Sequence, residues 1–410
     1  MSYFRQRLEV IKTPALLLHI FSCFFGTIGV GISYMGMAWE IVETYENIAS
    51  ISWLMSCFWV PGILVSPFIG VVIDRYSRKQ IIIFNNVIRI VALITAGILY
   101  SSYPTPSIIY ILGLAIGLAY AFYAPAALAF VRDIAKPEQL MYANATVDMS
   151  YEVGFLLGMS LGGLSIAFFE VSTIFYISAF VFFLATLCTL RIKQFALTKE
   201  VVIKMTFYEE IIAGLKYIIS RKQILHLYTV QLVFFSCMMT AGVLLTPFAK
   251  VVLESTPFEF GLIESSLSLG IIFGSLLMPY LADKFSSKKT LLLCTGGMCI
   301  GFLVFATFSQ TITEAIILYG LLGVFFAGWA VSTTAAQEVT NVAFQGRVQT
   351  TFNALSQLVI ISIYATIGLL SQWLSIRASY SSLIMIAAIA FIIVCVSTFT
   401  TIKPNYTDRQ

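Results

Sequence analysis

The chain of 410 residues predicts an all-α polytopic membrane protein, with about twelve membrane-crossing helices in two groups of six. Three observations predict it. Hydrophobic residues make up 59% of the sequence and charged residues only 11%, with a mean hydropathy of +0.92, whereas a soluble domain carries about 25% charged residues. The apolar residues fall in repeated runs of about 20, the length that spans a bilayer as helix. The basic residues gather on one side of those runs, as the loops of a multi-pass protein require.

Taken in order, polar or turn-rich breaks delimit runs at 15–38, 49–73, 80–100, 107–131, 144–169, 171–191, 224–249, 259–282, 289–309, 313–336, 348–372 and 378–402. In the bilayer core each backbone polar group needs an internal partner, so these runs are helices; they are too long and unalternating for barrel strands. The first run follows Arg5, Arg7 and Lys12 and exceeds signal-peptide length without a small-residue cleavage site. It is expected to be retained as the first span. Between the sixth and seventh runs lies the longest polar stretch, RIKQFALTKEVVIKMTFYEEIIAGLKYIISRKQ (191–223). Its second part sets Phe207, Ile211, Leu215, Ile218 and Ile219 on a helical stripe with Glu209, Glu210, Lys216, Arg221 and Lys222 elsewhere. That pattern predicts an amphipathic helix lying along the membrane surface. The expected division is a six-helix bundle over 1–191, a linker over 192–223 and a second six-helix bundle over 224–410.

With twelve spans both termini share a side. That side collects Arg5, Arg7, Lys12, Arg75, Arg78, Lys79, Arg132, Lys136, the central stretch, Lys284, Lys288, Lys289, Arg347, Lys403 and Arg409. The opposite loops hold only Lys250 and Arg377, against Glu40, Glu43, Glu46, Glu170, Glu254, Glu259 and Glu314. The positive-inside rule then predicts cytoplasmic termini and a cytoplasmic linker. The basic residues form no aromatic-interleaved patch, so no nucleic-acid partner is expected. The seven cysteines lie inside apolar runs without CxxC or Cys/His spacing, so they are read as small core residues; no metal and no cofactor are expected.

The phrase GVVIDRYSRKQ (70–80) returns as PYLADKFSSKK (279–289). Aligning Asp74 with Asp283 matches Arg75 to Lys284, Tyr76 to Phe285, Ser77 to Ser286 and Lys79 to Lys288. Both phrases fall between the second and third span of their half, the mark of a parallel repeat around a central site. The pattern G-x-x-x-D-R-x-x-R-K from Gly70 to Lys79 resembles the signature loop of the major facilitator superfamily. Three further stretches resemble its bacterial macrolide and siderophore (enterobactin-type) exporters: APAALAFVRDIAKPEQLMYANAT, EEIIAGLKYIISRKQ and FQGRVQTTFNALS. The resemblance implies the major facilitator fold of two six-helix bundles and a place in the bacterial cytoplasmic membrane. It also implies a conformational latch built from Gly70, Asp74, Arg75, Arg78, Lys79, Asp133, Asp283, Lys284 and Arg347. Asp133 is a plausible partner for Arg75 or Arg78, and Asp74 for the region of Arg347. The second copy has Ser287 where the first has arginine, so a weaker latch is expected there.

Ionisable residues within spans are costly and functional by default. Asp148 and Glu152 stand at i and i+4 on one face of the fifth span, with Glu152 about 12 Å in from the helix start. Such a pair suits a proton carrier. Glu264 either faces a cavity or reaches the interface. Arg89 lies in the third span, which in this fold belongs to the outer scaffold, so an ion pair or snorkelling is expected ahead of substrate contact. His19 is read as an interfacial hydrogen-bonding residue. Gly154, Gly158, Gly162 and Gly163 form a small-xxx-small ladder for close helix packing. The ladder resembles the antiporter motif G-x-x-x-G-P-x-x-G-G but has Met159 where proline stands, which weakens that inference. Tyr34, Tyr120, Tyr123, Phe235 and Trp329 are cavity candidates for a bulky amphipathic ligand, or else packing residues. Gln231, Asn353 and Gln357 either orient a ligand or stitch helices.

The sequence reading is a secondary transporter that rocks two bundles about a midplane site, not an enzyme. No P-loop is present to suggest ATP drive. Proton-coupled export of a drug-like or siderophore-like small molecule is expected, with import of a nutrient or siderophore as the alternative. The partners are a small-molecule substrate, protons and the lipid bilayer, and the protein is expected to be a monomer. A membrane-embedded enzyme or sensor is the remote alternative.

Overall fold

The computed structural model describes residues 12–45, 48–135, 140–193, 207–370, 373 and 375–397. Six helices cover the first half: α1 Pro14–Tyr45, α2 Ile48–Arg75, α3 Arg78–Ser102, α4 Pro106–Ile134, α5 Leu140–Phe168 and α6 Val171–Arg191. The linker helix α7 is Phe207–Ile219. The second half has α8 Lys222–Pro247, continued by a π turn at Phe248–Val252, then α9 Pro257–Lys284 and α10 Ser287–Phe308. It ends with α11 Ile312–Phe326, α12 Gly328–Val339, α13 Val342–Leu370 and α14 Ile376–Val396. Among the described residues twelve spans are long and apolar enough to cross a membrane, with α11 and α12 forming one of them. No strand occurs among the described residues.

The helices begin and stop where chemistry requires. Pro106 opens α4 at a position where the missing N–H costs nothing. Thr311 and Glu314 close a capping box at the start of α11: Glu314 N–H donates to the Thr311 hydroxyl and Thr311 N–H to the Glu314 carboxylate. The tenth span breaks at Ala327–Gly328 because Gly328 packs where a Cβ would lie 2.7 Å from both Cys294 and Phe234; the glycine that allows this contact is also a weak helix former. The first helix runs on to Tyr45, past the expected end at 38, because Ile41 and Val42 are fully buried. The last helix ends at Val396, and the remainder of the run expected to reach 402 lies outside the described residues apart from Ser397.

Grouping by proximity gives two compact units. One contains the described residues through 193 with Val243–Ser268 and Ile361–Ile376; the other contains those from Phe207 to Gly242, Leu269–Ile360 and those from Arg377 onward. In the first unit α1 packs on α5 and α6, α2 on α4, and α3 on α4 and α6. The α1–α5 seam is set by glycine: a Cβ on Gly158 would lie 2.6 Å from Ile28 O, and one on Gly31 would lie 2.8 Å from the Gly158 backbone. Without a hydrophobic drive between helices in lipid, such backbone approach supplies the packing. In the second unit Gly270 meets the Gly320 carbonyl and Gly274 the Val324 carbonyl in the same way.

The linker helix α7 lies on the start of α13 rather than standing alone. Tyr217 stacks on Phe344 with centroids 4.4 Å apart, its hydroxyl accepts from Asn341 N–H at 3.0 Å, and Thr351 donates to Ile211 O at 3.1 Å. Gly214 permits this approach, since a Cβ there would lie 2.5 Å from Arg347 O. The opposite side exposes Ile212 and Ile219, so part of the predicted stripe serves protein packing and part faces outward.

Candidate functional site

The charged loop between α2 and α3 divides its labour. Arg78 opens α3 and forms an ion pair with Asp133 near the end of α4; the arginine is 30% and the aspartate 6% exposed. The same Arg78 nitrogen lies 3.4 Å from Ala129 O. Arg75, the other expected partner of Asp133, is exposed at the end of α2. Lys79 donates to Leu190 O at 2.8 Å and Ile192 O at 2.7 Å, answering carbonyls that the end of α6 leaves without intrahelical donors. Gly70, Asp74 and Asp148 lie outside the residues whose surroundings are described.

The second copy keeps only part of this. Lys288 donates to Ser397 O at the end of α14, as Lys79 does at the end of α6. Asp283 and Lys284 are exposed, and the Lys284 ammonium lies over the Phe285 and Tyr280 rings at 5.4 and 5.8 Å. Arg347 lies over Phe344 at 5.2 Å beside the docked linker helix. The two lysine caps went unread in the sequence, although their equivalence in the repeat was visible.

At the other ends of the helices, the first unit ties residues of the two sequence halves together. Lys250, in the π turn, forms an ion pair with Glu43 of α1 and lies 4.9 Å from the Trp39 ring, which packs on Phe260 of α9 at 5.9 Å. The Ser160 and Ser265 hydroxyls are hydrogen-bonded across α5 and α9, and a Cβ on Gly163 would lie 2.6 Å from Pro257 O. Gly154 and Gly162 pack on Thr27 and Met35 of α1. Sequence reasoning missed the Lys250 network; the signal was one lysine among the acidic residues of those loops. Glu264, also in α9, is 5% exposed and interacts electrostatically with Tyr34, which in turn interacts with Tyr364 of α13. Among the described residues no cation and no hydrogen-bond donor answers the Glu264 carboxylate. Of the two alternatives, Glu264 is buried rather than at the interface.

Inside the first six helices Arg89 departs from expectation. It is 1% exposed, so it does not snorkel, and it forms no ion pair among the described residues. Its guanidinium carbon lies 4.4 Å from the Tyr123 ring centre, 5.3 Å from Phe182 and 5.9 Å from Tyr120. The physical reason is position: α3 packs on both α4 and α6, so Arg89 has rings on either side and no path to the headgroups. Tyr120 also packs on Phe58 and Trp59 and lies within electrostatic reach of half-buried Glu152. His19 is fully buried rather than interfacial, with Nε2 3.2 Å from Ala127 O and Phe130 edge-on at 5.3 Å.

In the second unit Gln231 donates to the Thr333 hydroxyl at 2.9 Å and joins α8 to α12. Phe235, Trp329 and Phe352 form a continuous aromatic wall, with successive centroids 5.7 and 5.9 Å apart. Asn353 is exposed and accepts from Gln349 at 3.1 Å, and Gln357 is half-buried.

Twelve spans, a duplicated loop with matching lysine caps, and buried charges flanked by aromatic rings define a duplicated α-helical membrane transporter. The sequence pattern of the Major Facilitator Superfamily matches residues 20–255 and 227–410. The chain belongs to that family, whose members are transporters and not enzymes. It is 25% identical over 311 residues to a Lactococcus lactis protein called "Multi-drug resistance efflux pump PmrA homolog", covering 71% of this chain and 69% of that one. It is 25% identical over 180 residues to the Staphylococcus aureus "Staphyloferrin A transporter", covering 43% of this chain and 45% of that one. The crystal structure of a point mutant of the nucleoside transporter NupG superposes with a TM-score of 0.73 at 14% identity, covering 93% of this chain and 98% of that one. That likeness bears on the fold alone.

Proposed function

We propose that the protein is a proton-coupled exporter of drug-like or siderophore-like amphipathic molecules, working by alternating access in the bacterial cytoplasmic membrane. Both termini and the linker are cytoplasmic, the transporting unit is a monomer, and 1–191 and 224–410 are the two rocking bundles joined by 192–223. The observation that carries proton coupling is Glu264: a carboxylate 5% exposed inside a membrane protein, with no cation beside it among the described residues. A buried unpaired charge is costly, and intramembrane carboxylates of this kind take and release protons as they are covered and uncovered. Glu152, half-buried beside Tyr120, is the second carrier in this reading. Similarity to proteins named as efflux pumps supports export, and the aromatic walls around Tyr120 and Trp329 suit a bulky apolar cargo.

Alternating access requires contacts at each end to form and break in turn. Arg78–Asp133 and the Asp74 loop serve as the latch at the cytoplasmic end, and the Lys250 network belongs to the other end. The test is transport of an amphipathic xanthene dye into inside-out proteoliposomes under an imposed pH gradient. Wild type accumulates dye only with the gradient. Glu264→Gln loses gradient-driven accumulation while still exchanging labelled for unlabelled dye. Accumulation in Glu264→Gln equal to wild type overturns its role, and equal accumulation by wild type with and without the gradient overturns proton coupling.

A further inference from the structure

We infer that Arg89, with Asn86 beside it, forms an anion-binding subsite inside the first six helices, which takes a carboxylate or comparable oxyanion of the cargo. The inference rests on the transport reading above and narrows its cargo to molecules that join an apolar body to an anionic group. Arg89 is 1% and Asn86 0% exposed. Arg89 Nη1 lies 3.4 Å from Asn86 Oδ1, a long contact. Among the described residues no group accepts from Arg89 Nε, Arg89 Nη2 or Asn86 Nδ2. A full positive charge and three buried nitrogen donors therefore converge within one turn of α3 without an acceptor.

Several other cations among the described residues are answered by oxygens. Arg377 donates to Ala306 O at 2.8 Å and Ser309 O at 2.9 Å, Arg78 meets Asp133, and Lys79 and Lys288 meet helix-end carbonyls. The rings of Tyr123, Phe182 and Tyr120 attract the guanidinium through their π faces, but that attraction falls short of the cost of burying an unpaired ion. An oxyanion accepting from both Nε and Nη2 supplies what is missing, in the bidentate geometry for which guanidinium is shaped. The same rings provide the apolar walls for the rest of the ligand. Tyr120 is half-buried and touches both Arg89 and the Phe58–Trp59 pair, so access to the subsite runs past that ring.

The test uses two xanthene dyes that differ only in one group, a free carboxylate or its ethyl ester, titrated onto the detergent-solubilised full chain by fluorescence anisotropy. Wild type is expected to bind the carboxylate about tenfold more tightly, as one charge-assisted pair supplies. Arg89→Gln is expected to bind both dyes equally. Arg89→Lys, which keeps the charge and loses the fork, retains a reduced preference and serves where Arg89→Gln does not elute as a single species. An undiminished carboxylate preference in either variant overturns the inference, as does the absence of any preference in wild type. Binding is read without transport, so a preference lost in Arg89→Gln supports the subsite even where gradient-driven dye movement fails and the proton-coupled reading falls.

Discussion

Ser286 ends the α9–α10 turn of the second repeat with φ 148° and ψ 153°, a region that belongs almost entirely to glycine. The corresponding Ser77 of the first repeat has an ordinary extended backbone at φ −63° and ψ 127°. Holding a side chain in such a conformation costs about 1–3 kcal/mol. Ser286 offsets part of that by capping α10, its hydroxyl accepting from Lys289 N–H at 3.2 Å. Ser286→Gly removes the strain, loses a few tenths of a kcal/mol of capping and adds roughly 0.5–1 kcal/mol of unfolded-state freedom, for a net stabilisation of about 1 kcal/mol. Ser286→Ala keeps the Cβ and drops the cap, which destabilises by about 1 kcal/mol. The expected order of thermal stability for the detergent-solubilised chain, followed by size-exclusion chromatography after heating, is Gly above Ser above Ala. A glycine variant at or below wild type refutes the strain argument. Transport by the same variants reads what the strain is for: a stabler glycine variant with slower turnover shows that the turn stores strain for the conformational cycle.

Gly158→Ala puts a Cβ 2.6 Å from Ile28 O and 3.0 Å from Gly31 Cα, both backbone atoms that cannot swing aside, and is expected to destabilise by about 1–3 kcal/mol. Gly242→Ala meets nothing within 4 Å and gains up to about 1 kcal/mol of helix propensity, so opposite shifts in heating midpoint are expected, and shifts of the same sign defeat the seam reading. Lys250→Met removes an ion pair whose glutamate is 55% exposed, worth about 0.2–1 kcal/mol, and a contact with Trp39 worth about 0.5–1 kcal/mol. It is expected to speed alkylation of a cysteine placed at Ser160, in a chain otherwise free of cysteine, by about threefold to thirtyfold. The exchange of Glu43 and Lys250 restores the slow rate, and an unchanged rate in Lys250→Met removes the network from the gating of that end.

Helix number and order were legible because the bilayer leaves one solution for an apolar run, and the break lengths did the counting. Helix ends were less legible: burial of Ile41 and Val42 carries α1 beyond its apolar run, and a contact at Gly328 breaks the tenth span. Both are decided by neighbours distant in the chain. The charged loop was visible as a motif, but a motif does not choose between partners, and Arg78 rather than Arg75 reaches Asp133. Arg89 was misjudged for a related reason. A lone arginine in an apolar run says only that something must answer it; whether that is a carboxylate, the headgroups or a set of rings depends on helices α4 and α6, whose register against α3 no local pattern encodes. The Lys250 network was obscured further, since Trp39, Glu43, Lys250 and Phe260 come from three separate segments.

The duplicated loop shows which of its parts the fold needs twice. Lys79 and Lys288 each close the last helix of their half by donating to its terminal carbonyls, a requirement that any helix ending beside the loop imposes. The arginine–carboxylate pair is different. The second copy retains a carboxylate one residue before the end of the matching span, Glu338 before Val339 as Asp133 stands before Ile134, but has Ser287 where Arg78 would be. Glu338 is accordingly exposed, whereas Asp133 is 6% exposed and paired. The second loop instead has the strained Ser286 and a lysine lying over aromatic rings. Helix termination is thus symmetric between the repeats and the ion pair is not. The asymmetry sets a buried carboxylate, costly to leave unpaired, against the first loop, and an exposed one beside a turn that holds backbone strain at Ser286 against the second.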